Sequence, residues 1–345
     1  MLNSFSSNAI LTKVHAIFGK RLTPSDFSQM ARKSDVGEVA AFLKENPSYQ
    51  KALKNINETE IHRGQLESLI KKDLYYKYSS LRRYDFSDNG FYDFILTKVE
   101  VDEILRCLML IGAGQTEGFI IEMPSYLMHH TSFNLMVLTQ VKNLDGLIEV
   151  LSGTPYAAIL KRLRREDGTA DYLRCEFALY SYYYQFLFDS VDQHFRGGTK
   201  KALKEIMQAE IEAHNVEIIF RLKYFHHMDA EQIKPLLFPY RYHLNDEKLE
   251  KILEAKTIAE MTGIAKIVRP GEETRKGVPE GFMEFYTHSY CYHIYKRQLH
   301  GTTKAAVAMY AFIALRNIEV QNIITVIEGV RYGQPQDEIL SLLIL

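Results

Sequence analysis

Carboxylates recur in one short pattern at three places in the chain. Paired carboxylates are a common arrangement for acid–base chemistry or for holding a metal ion. The pattern is [VI]-E-[VA]-x-[EN]-[IV], and its two polar positions are three residues apart, so they share one face of a helix. Each copy therefore groups two polar side chains among apolar neighbours: Glu100 with Glu103, Glu212 with Asn215, and Glu319 with Asn322.

These polar pairs are interpreted as contacts that fix the register of neighbouring helices, not as reactive groups. Asparagine, a poor acid or base, takes the second position in two of the three copies. The adjacent histidines His129-His130 and His226-His227 would point about 100° apart on a helix. The three cysteines lie far apart, without the spacing of zinc ligands. The sequence thus predicts no catalytic residue, no cofactor and no metal site.

Motifs and charge exclude several other functions. The patterns GxxxxGK[ST], GxGxxG and GxSxG, which mark phosphate-binding loops and a nucleophilic serine, are absent. The formal net charge is -1 and no long basic stripe occurs, which argues against nucleic-acid binding. The longest apolar run, Ala305–Leu315, is too short to cross a bilayer, and the first residues lack a secretory leader pattern. Any contact with a membrane is expected to go through partners.

The elements that must position these residues are predicted to be helices. Proline is rare and falls at expected joints, and Thr23-Pro24-Ser25-Asp26 has the composition of a helix start. Leu66, Ile70, Leu74 and Tyr78 follow one helical stripe, whereas strand-like alternation is scarce. The predicted fold class is all-α.

The three signatures belong to a larger internal repeat. Tyrosine-rich segments precede them at similar distances, and further upstream a polar residue followed by an apolar one begins a predicted helix. The copies lie about 110 residues apart, longer than a solenoid repeat, so each copy is expected to be a small helical domain. The predicted domains are 1–115, 116–235 and 236–345. In the order of the repeats, the tyrosine-rich segments are Tyr75-Tyr76, Tyr182-Tyr183-Tyr184, and Tyr290 with Tyr292. The predicted helix starts are Asp35-Val36, Asn143-Leu144 and Thr257-Ile258.

The chain resembles the C subunit of bacterial and archaeal V/A-type ATPases, the counterpart of the d subunit of the eukaryotic vacuolar enzyme. The most specific segments are Arg316–Ile323 and Ile327–Gly333, near the end of the sequence. Asn8–Ile10, Leu22–Phe27 and Ala41–Leu43 are also similar to the family. The similarity covers the whole chain. One departure is Glu103, which stands where the other two signatures have asparagine.

The resemblance implies a non-catalytic subunit of the central stalk of a rotary ATPase. Three similar helical domains would form a pseudo-threefold funnel between the membrane rotor ring and the rotor shaft, and would transmit torque between ATP hydrolysis or synthesis and ion transport. The implied partners are the shaft subunits and the cytoplasmic loops of the ring subunits, with one copy of the chain per complex. The implied location is the cytoplasmic face of a membrane, as a peripheral part of the complex.

Two other hypotheses remain open from the residues alone. A helical enzyme could build a site from the Glu/Asn pairs and the histidines, which would require those groups to converge in one pocket. A helical adaptor could bind protein partners outside any ATPase. Isolation of the chain with a nucleotide-hydrolysing complex, or without one, distinguishes these alternatives from the stalk subunit.

Overall fold

The computed structural model describes residues 2–84, 90–115, 124–128, 130–268 and 283–345. Within these ranges all regular structure is helical, which confirms the predicted all-α class. Short 3₁₀ turns occur at Phe91–Asp93, Ser125–Leu127 and Lys234–Leu236. The helices are α1 Leu2–Phe18, α2 Pro24–Met30, α3 Val36–Glu45, α4 Arg63–Arg82, α5 Phe94–Gly112, α6 Leu135–Leu138, α7 Leu144–Val150, α8 Pro155–Leu163, α9 Tyr172–His194, α10 Gly197–Tyr224, α11 Ala230–Ile233, α12 Asp246–Glu254, α13 Ile258–Ala265, α14 Met283–Gly301, α15 Ala305–Arg331 and α16 Gln336–Ser341.

The predicted helix starts are confirmed, and side-chain caps explain them. Asp35, Asn143 and Thr257 lie directly before α3, α7 and α13, and each accepts a hydrogen bond from the backbone N–H three residues later. Thr23 begins α2 with a reciprocal capping box to Asp26, followed by Pro24 in the first turn. Such caps satisfy N–H groups that have no partner inside the helix.

Short helices followed by two long ones occur three times along the chain. The tyrosine-rich segments lie on the first long helix of each set, α4, α9 and α14. The Glu signatures lie on the second, α5, α10 and α15. The first two repeats each have a proline and an aromatic after a short helix, Pro47-Ser48-Tyr49 and Pro155-Tyr156. The third repeat departs from this with Arg269-Pro270-Gly271, and these three residues lie outside the described ranges. The recurring order of elements matches the order of the sequence landmarks.

The chain divides into two compact units. The larger unit comprises Met1–Asp88, Gly197–Lys234 and Pro239–Leu345, and the smaller unit comprises Asn89–Arg196 and Pro235–Phe238. Within the smaller unit α5 packs on α9. Within the larger unit α10 packs on α12, α13 and α14, while α15 packs on α2, α3 and α4. Each signature helix thus packs against elements of another predicted repeat, and the division into 1–115, 116–235 and 236–345 stays a prediction.

The core of the larger unit forms around α15, most of which is buried. Its last turns share a cluster with α2, α3, α4 and α16, which includes Phe27, Leu43, Ile70 and Ile323. The predicted stripe on α4 is largely inside, since Leu66, Ile70 and Tyr78 are buried. Among the helices that the structure describes, none combines the length and apolar character that a membrane span requires.

Candidate functional site

Glu319, the carboxylate of the third signature, is buried on α15 in the larger unit, with 7% of its surface exposed. Its Oε1 accepts a hydrogen bond of 2.8 Å from the hydroxyl of Tyr49. The same oxygen accepts one of 2.7 Å from Nη1 of Arg316, one turn earlier on the helix. The carboxylate therefore joins α15 to the turn that follows α3, across most of the length of the sequence.

A buried cationic group completes this contact. Arg316 is only 1% exposed, and its Nη1 also donates to Ser48 Oγ at 3.1 Å. Its Nη2 lies 3.8 Å from Asp73 Oδ2, and its guanidinium lies 5.1 Å from the ring centre of Tyr49. A buried charge is tolerated where opposite charges and hydrogen bonds compensate it. At Arg316 the hydrogen bonds are all donated by Nη1, whereas Nε and Nη2 are buried without one among the described residues, so the nearby carboxylates supply the rest of the compensation.

Lys77 of α4 borders the same cluster. Its ammonium pairs with Asp73 and donates to the carbonyl of Ser48 at 2.8 Å. Burial, followed by repulsion from Arg316, lowers the pKa of Lys77 to about 8. Burial also raises the pKa of Tyr49 well above its usual value, so that its hydroxyl remains a donor to Glu319. The cluster is built to hold charge in place, because its acids and bases are mutually paired.

Glu100, the first signature carboxylate, lies on α5 in the smaller unit and is also buried. Its Oε2 accepts a hydrogen bond of 2.7 Å from the hydroxyl of Tyr156 at the start of α8. Its Oε1 accepts one from the backbone N–H of Ser132, before α6. Burial, with the Glu100 charge nearby, raises the pKa of Tyr156 and keeps it protonated. Both carboxylate oxygens thus bind elements of the second predicted repeat.

Glu212, the second signature carboxylate, holds a backbone segment in the larger unit. It is 2% exposed on α10, and its Oε2 accepts hydrogen bonds from three consecutive N–H groups. These belong to Tyr242, His243 and Leu244, at 2.7, 2.8 and 2.8 Å, directly before Asn245 caps α12. Three N–H donors converging on one oxygen stabilise its negative charge.

The three signature carboxylates share one pattern of hydrogen bonding. Each accepts hydrogen bonds from the short-helix segment of a different predicted repeat: the first from the second, the second from the third, and the third from the first. Two of the donors are tyrosines that follow a proline, in Pro47-Ser48-Tyr49 and Pro155-Tyr156. Each signature helix is thereby tied to the short helices of another repeat.

The second polar residues of the signatures have partners of their own. Glu103 pairs with Arg106 of its own helix. Asn322 exchanges two hydrogen bonds with the backbone of Ile344, one of 2.6 Å and one of 3.0 Å. Asn215 is buried on α10. In the third signature, the two polar residues therefore bind different segments, although they lie one turn apart on the same helix.

The structure does not bring the described histidine pair into a site with the signatures. His226 and His227 are exposed, and His129 lies outside the described residues. Within the described part of the chain no three His, Cys, Asp or Glu side chains are grouped to hold a metal ion. The three cysteines are buried and form no disulfides. Burial raises the pKa of Cys107 to about 12 and that of Cys175 to about 11, which disfavours a nucleophilic thiolate.

Sequence reasoning assigns no role to three residues that make these contacts: Arg316, Tyr49 and Tyr156. Arg316 follows the apolar run Ala305–Leu315 and begins the family-like segment Arg316–Ile323, but neither pattern indicates that it pairs with Glu319. A signal for the tyrosines is present, because an aromatic follows a proline in the first two repeats. A buried carboxylate needs hydrogen-bond donors. The tyrosine hydroxyls that recur after these prolines could therefore have been predicted as donors to the signature carboxylates.

Comparison with known proteins gives relatives of one kind. The chain is similar to the A-type ATP synthase C subunit of Methanosphaera stadtmanae, with 24% identity over 277 residues, 78% of this chain and 67% of the relative. The C subunit of Archaeoglobus fulgidus is 24% identical over 200 residues, 58% of this chain and 56% of the relative. That of Desulfurococcus sp. strain SY is 22% identical over 229 residues, 66% of this chain and 60% of the relative.

The matched segments thus span between about half and two thirds of the length of these relatives. The family described as ATP synthase (C/AC39) subunit matches residues 10–342, a range that includes all three signatures and every tyrosine partner described above. The chain belongs to the family of ATP synthase (C/AC39) subunits.

Proposed function

We propose that the chain is a non-catalytic central-stalk subunit that couples the rotor shaft to the membrane rotor ring of a rotary V/A-type ATPase. The family match over residues 10–342 is the observation that carries this proposal. The proposed partners are the shaft subunits and the cytoplasmic loops of the ring subunits. The chain would bind the membrane-bound complex as a peripheral subunit, without catalytic residues of its own.

The internal construction suits a subunit that transmits torque. Such a subunit needs stiff elements and firm joints between them. Helix α10 has 28 residues and α15 has 27. At 1.5 Å per residue each is about 40 Å long. Buried charge-assisted hydrogen bonds fix these helices to other repeats, and such bonds are stronger than neutral ones.

The proposed shape is a pseudo-threefold funnel of three similar helical domains, near 1–115, 116–235 and 236–345. Support comes from the threefold recurrence of element order and from the three equivalent carboxylate contacts. A superposition of the three repeats in an experimental structure tests this. Glu100, Glu212 and Glu319 are expected at equivalent places, and unrelated positions would refute the repeat alignment.

Reconstitution tests the coupling role. Membranes from the source organism would be stripped of this chain and supplied with it again, while ATP hydrolysis and ATP-driven ion transport are both measured. We expect the detached catalytic head to hydrolyse ATP without the chain, and transport to return only with it. Transport without the chain would refute coupling.

Purification from native membranes distinguishes the adaptor hypothesis. A stalk subunit should elute with a nucleotide-hydrolysing complex, whereas an adaptor outside any ATPase should elute apart from it. The isolated chain is expected to show no ATP hydrolysis. Activity that disappears when a residue of this chain is substituted would show that the chain is an enzyme.

A further inference from the structure

A cavity of about 110 Å³ lies beside Glu319 in the larger unit, and we name it the Glu319 cavity. Its walls are mostly apolar and include Phe18, Phe27 and Leu315. Both hydrogen bonds that the Glu319 carboxylate accepts go to Oε1, and Oε2 accepts none from any described residue. Glu319, whose side chain is more than nine-tenths buried, therefore lines the cavity with one carboxylate oxygen that lacks a described donor.

The carboxylates of the other two signatures have backbone N–H donors that Glu319 lacks. Glu100 and Glu212 accept N–H groups from the residues just before the cap of the following short helix. The corresponding residues of the first repeat are 20–22, before the cap Thr23. The N–H groups of Lys20 and Arg21 instead donate to carbonyls in the last turn of α1, both at 3.1 Å.

Leu22 is left with an unused donor. Its N–H makes no hydrogen bond within the described part of the chain, although the residue is buried and lines the Glu319 cavity. Two residues that line the cavity thus carry a backbone donor and a carboxylate acceptor that no described group satisfies. A peptide group carries the complementary acceptor and donor, which an alkyl chain or a simple anion does not.

Two cations line the same cavity without a carboxylate partner among the described residues. Arg21 donates to the carbonyl of Phe18 and stacks on its ring, and the ammonium of Lys296 lies against Tyr292. Both are partly exposed, as expected at a rim. Glu319 already pairs with Arg316, so its carboxylate does not neutralise Arg21 and Lys296. The positive charge of these two residues therefore complements an acidic ligand.

We propose that the Glu319 cavity binds an extended, acidic segment of a partner protein. An apolar side chain would fill the space between Phe18, Phe27 and Leu315. The peptide group beside it would donate to Glu319 Oε2 and accept from the N–H of Leu22. An adjacent acidic side chain would pair with Arg21 and Lys296. The isolated chain carries this site, so binding there does not depend on the coupling role.

The test uses the isolated full chain and a fluorescein-labelled pentapeptide of alternating aspartate and leucine, followed by fluorescence anisotropy. We expect saturable binding that the Lys296→Glu substitution weakens by about fivefold or more, since it replaces an attractive pair by a repulsive one. Arg297→Glu is the matched control, because Arg297 is the exposed neighbour on α14 and does not line the cavity. Circular dichroism verifies that both variants fold.

Two further peptides and one competitor separate the possible occupants. Methylating the leucine nitrogens removes the donor to Glu319 and should weaken binding, and lysine in place of aspartate should abolish it. Hexanoate, an amphipathic anion without a peptide group, should compete poorly. Absence of saturable binding, equal binding of the methylated peptide, full displacement by hexanoate, or equal effects of the two charge reversals would each overturn the proposal.

Discussion

At the scale of single residues, the same acceptor is satisfied by three different sets of donors. Glu212 relies on backbone N–H groups, Glu100 on one N–H and a phenol, and Glu319 on a phenol and a guanidinium. The type of donor determines the effect of a substitution. Removing a tyrosine hydroxyl leaves the carboxylate with another donor, whereas removing the Glu319 carboxylate would leave the buried Arg316 charged without its nearest acid.

Replacing Tyr49 by Phe removes one donor from Glu319 while keeping the ring in place. We expect the free energy of unfolding to fall by about 1–3 kcal/mol, the usual range for a buried hydrogen bond to a charged group. Urea denaturation of the isolated chain measures it. Tyr76→Phe on α4 is the control, because Tyr76 is 55% exposed and should tolerate the change. Equal effects of the two substitutions would contradict a specific role for the Tyr49 hydroxyl.

Lys77 gives this cluster a predicted pH dependence. The unfolded chain keeps the Lys77 proton up to its usual pKa of 10.5, whereas the folded chain releases it near pH 8 because the group is buried beside Arg316. Between these values the unfolded state binds more protons, so this residue's contribution to the free energy of unfolding rises with pH. Its destabilising effect is fully present below pH 8.

The measurement compares the parent chain with Lys77→Met between pH 7 and pH 10. The difference in unfolding free energy should be constant near pH 7 and shift in favour of the parent above pH 8, by at most about 1.4 kcal/mol per pH unit. A difference independent of pH would show that the pairing with Asp73 outweighs burial. Higher pH is avoided, because Tyr49 has a raised pKa and acts in the opposite direction there.

At the scale of elements, the sequence predicts what local chemistry determines and misses what distant contacts determine. The starts of α3, α7 and α13 follow from caps three residues away, so Asp35, Asn143 and Thr257 indicate them. Met109 shares an apolar stripe at helical spacing with Ile104, Leu105 and Leu108 in the sequence, yet its side chain is 53% exposed. The burial of Arg316 could not be predicted, since Ser48 and Asp73, which compensate its charge, are far away in sequence.

The contact of α10 with the segment before α12 should depend on Glu212. Its replacement by Ala leaves three buried N–H groups without an acceptor and should lower the free energy of unfolding by about 2–4 kcal/mol. Amide hydrogen exchange should show lost protection at Tyr242, His243 and Leu244. Glu205→Ala on the same helix is the control, since Glu205 is partly exposed and has only a 3.9 Å pair with Lys201. Unchanged exchange at the three amides would refute the link.

The approach of α15 to α16 should depend on Gly329. A Cβ at this position would lie 2.5 Å from Ile339 Cγ1 and 2.8 Å from its Cδ1, which is closer than atoms can pack. Gly329→Ala should therefore lower the free energy of unfolding by about 1–3 kcal/mol, as overpacking does. Gly263→Ala in α13 should be neutral or stabilising, because nothing lies within 4 Å of its Cβ. Thermal denaturation compares the two, and a neutral Gly329→Ala would contradict the close contact.

At the scale of the whole molecule, each of the three carboxylate contacts joins one predicted repeat to another. The contact at Glu319 joins the third predicted repeat to the first. It is also the one that contains a buried ion pair, between Glu319 and Arg316. Buried pairs add little net stability, but removing one partner is strongly destabilising. Of the three contacts, the one at Glu319 is therefore the contact at which loss of a single charge should lower stability most.

Glu319→Ala should disturb this joint without affecting nucleotide chemistry. It leaves Arg316 charged and unpaired by its nearest acid, so the free energy of unfolding should fall by about 3–5 kcal/mol. Replacing Arg316 by Met in the same chain should recover part of that loss, because the orphaned charge is then gone. Glu338→Ala, at an exposed position of α16, is the matched control.

In the assembled complex, the proposed coupling role predicts that Glu319→Ala affects assembly or ion transport but not hydrolysis by the catalytic head. Hydrolysis by the detached catalytic head should remain unchanged, because the head acts without this chain. Assembly or ATP-driven ion transport by the whole complex should weaken, and the Arg316→Met double variant should regain part of it in step with its stability. The two activities are measured side by side on the same preparations. Loss of hydrolysis by the head, or full assembly and transport despite the substitution, would remove Glu319 from the proposed joint.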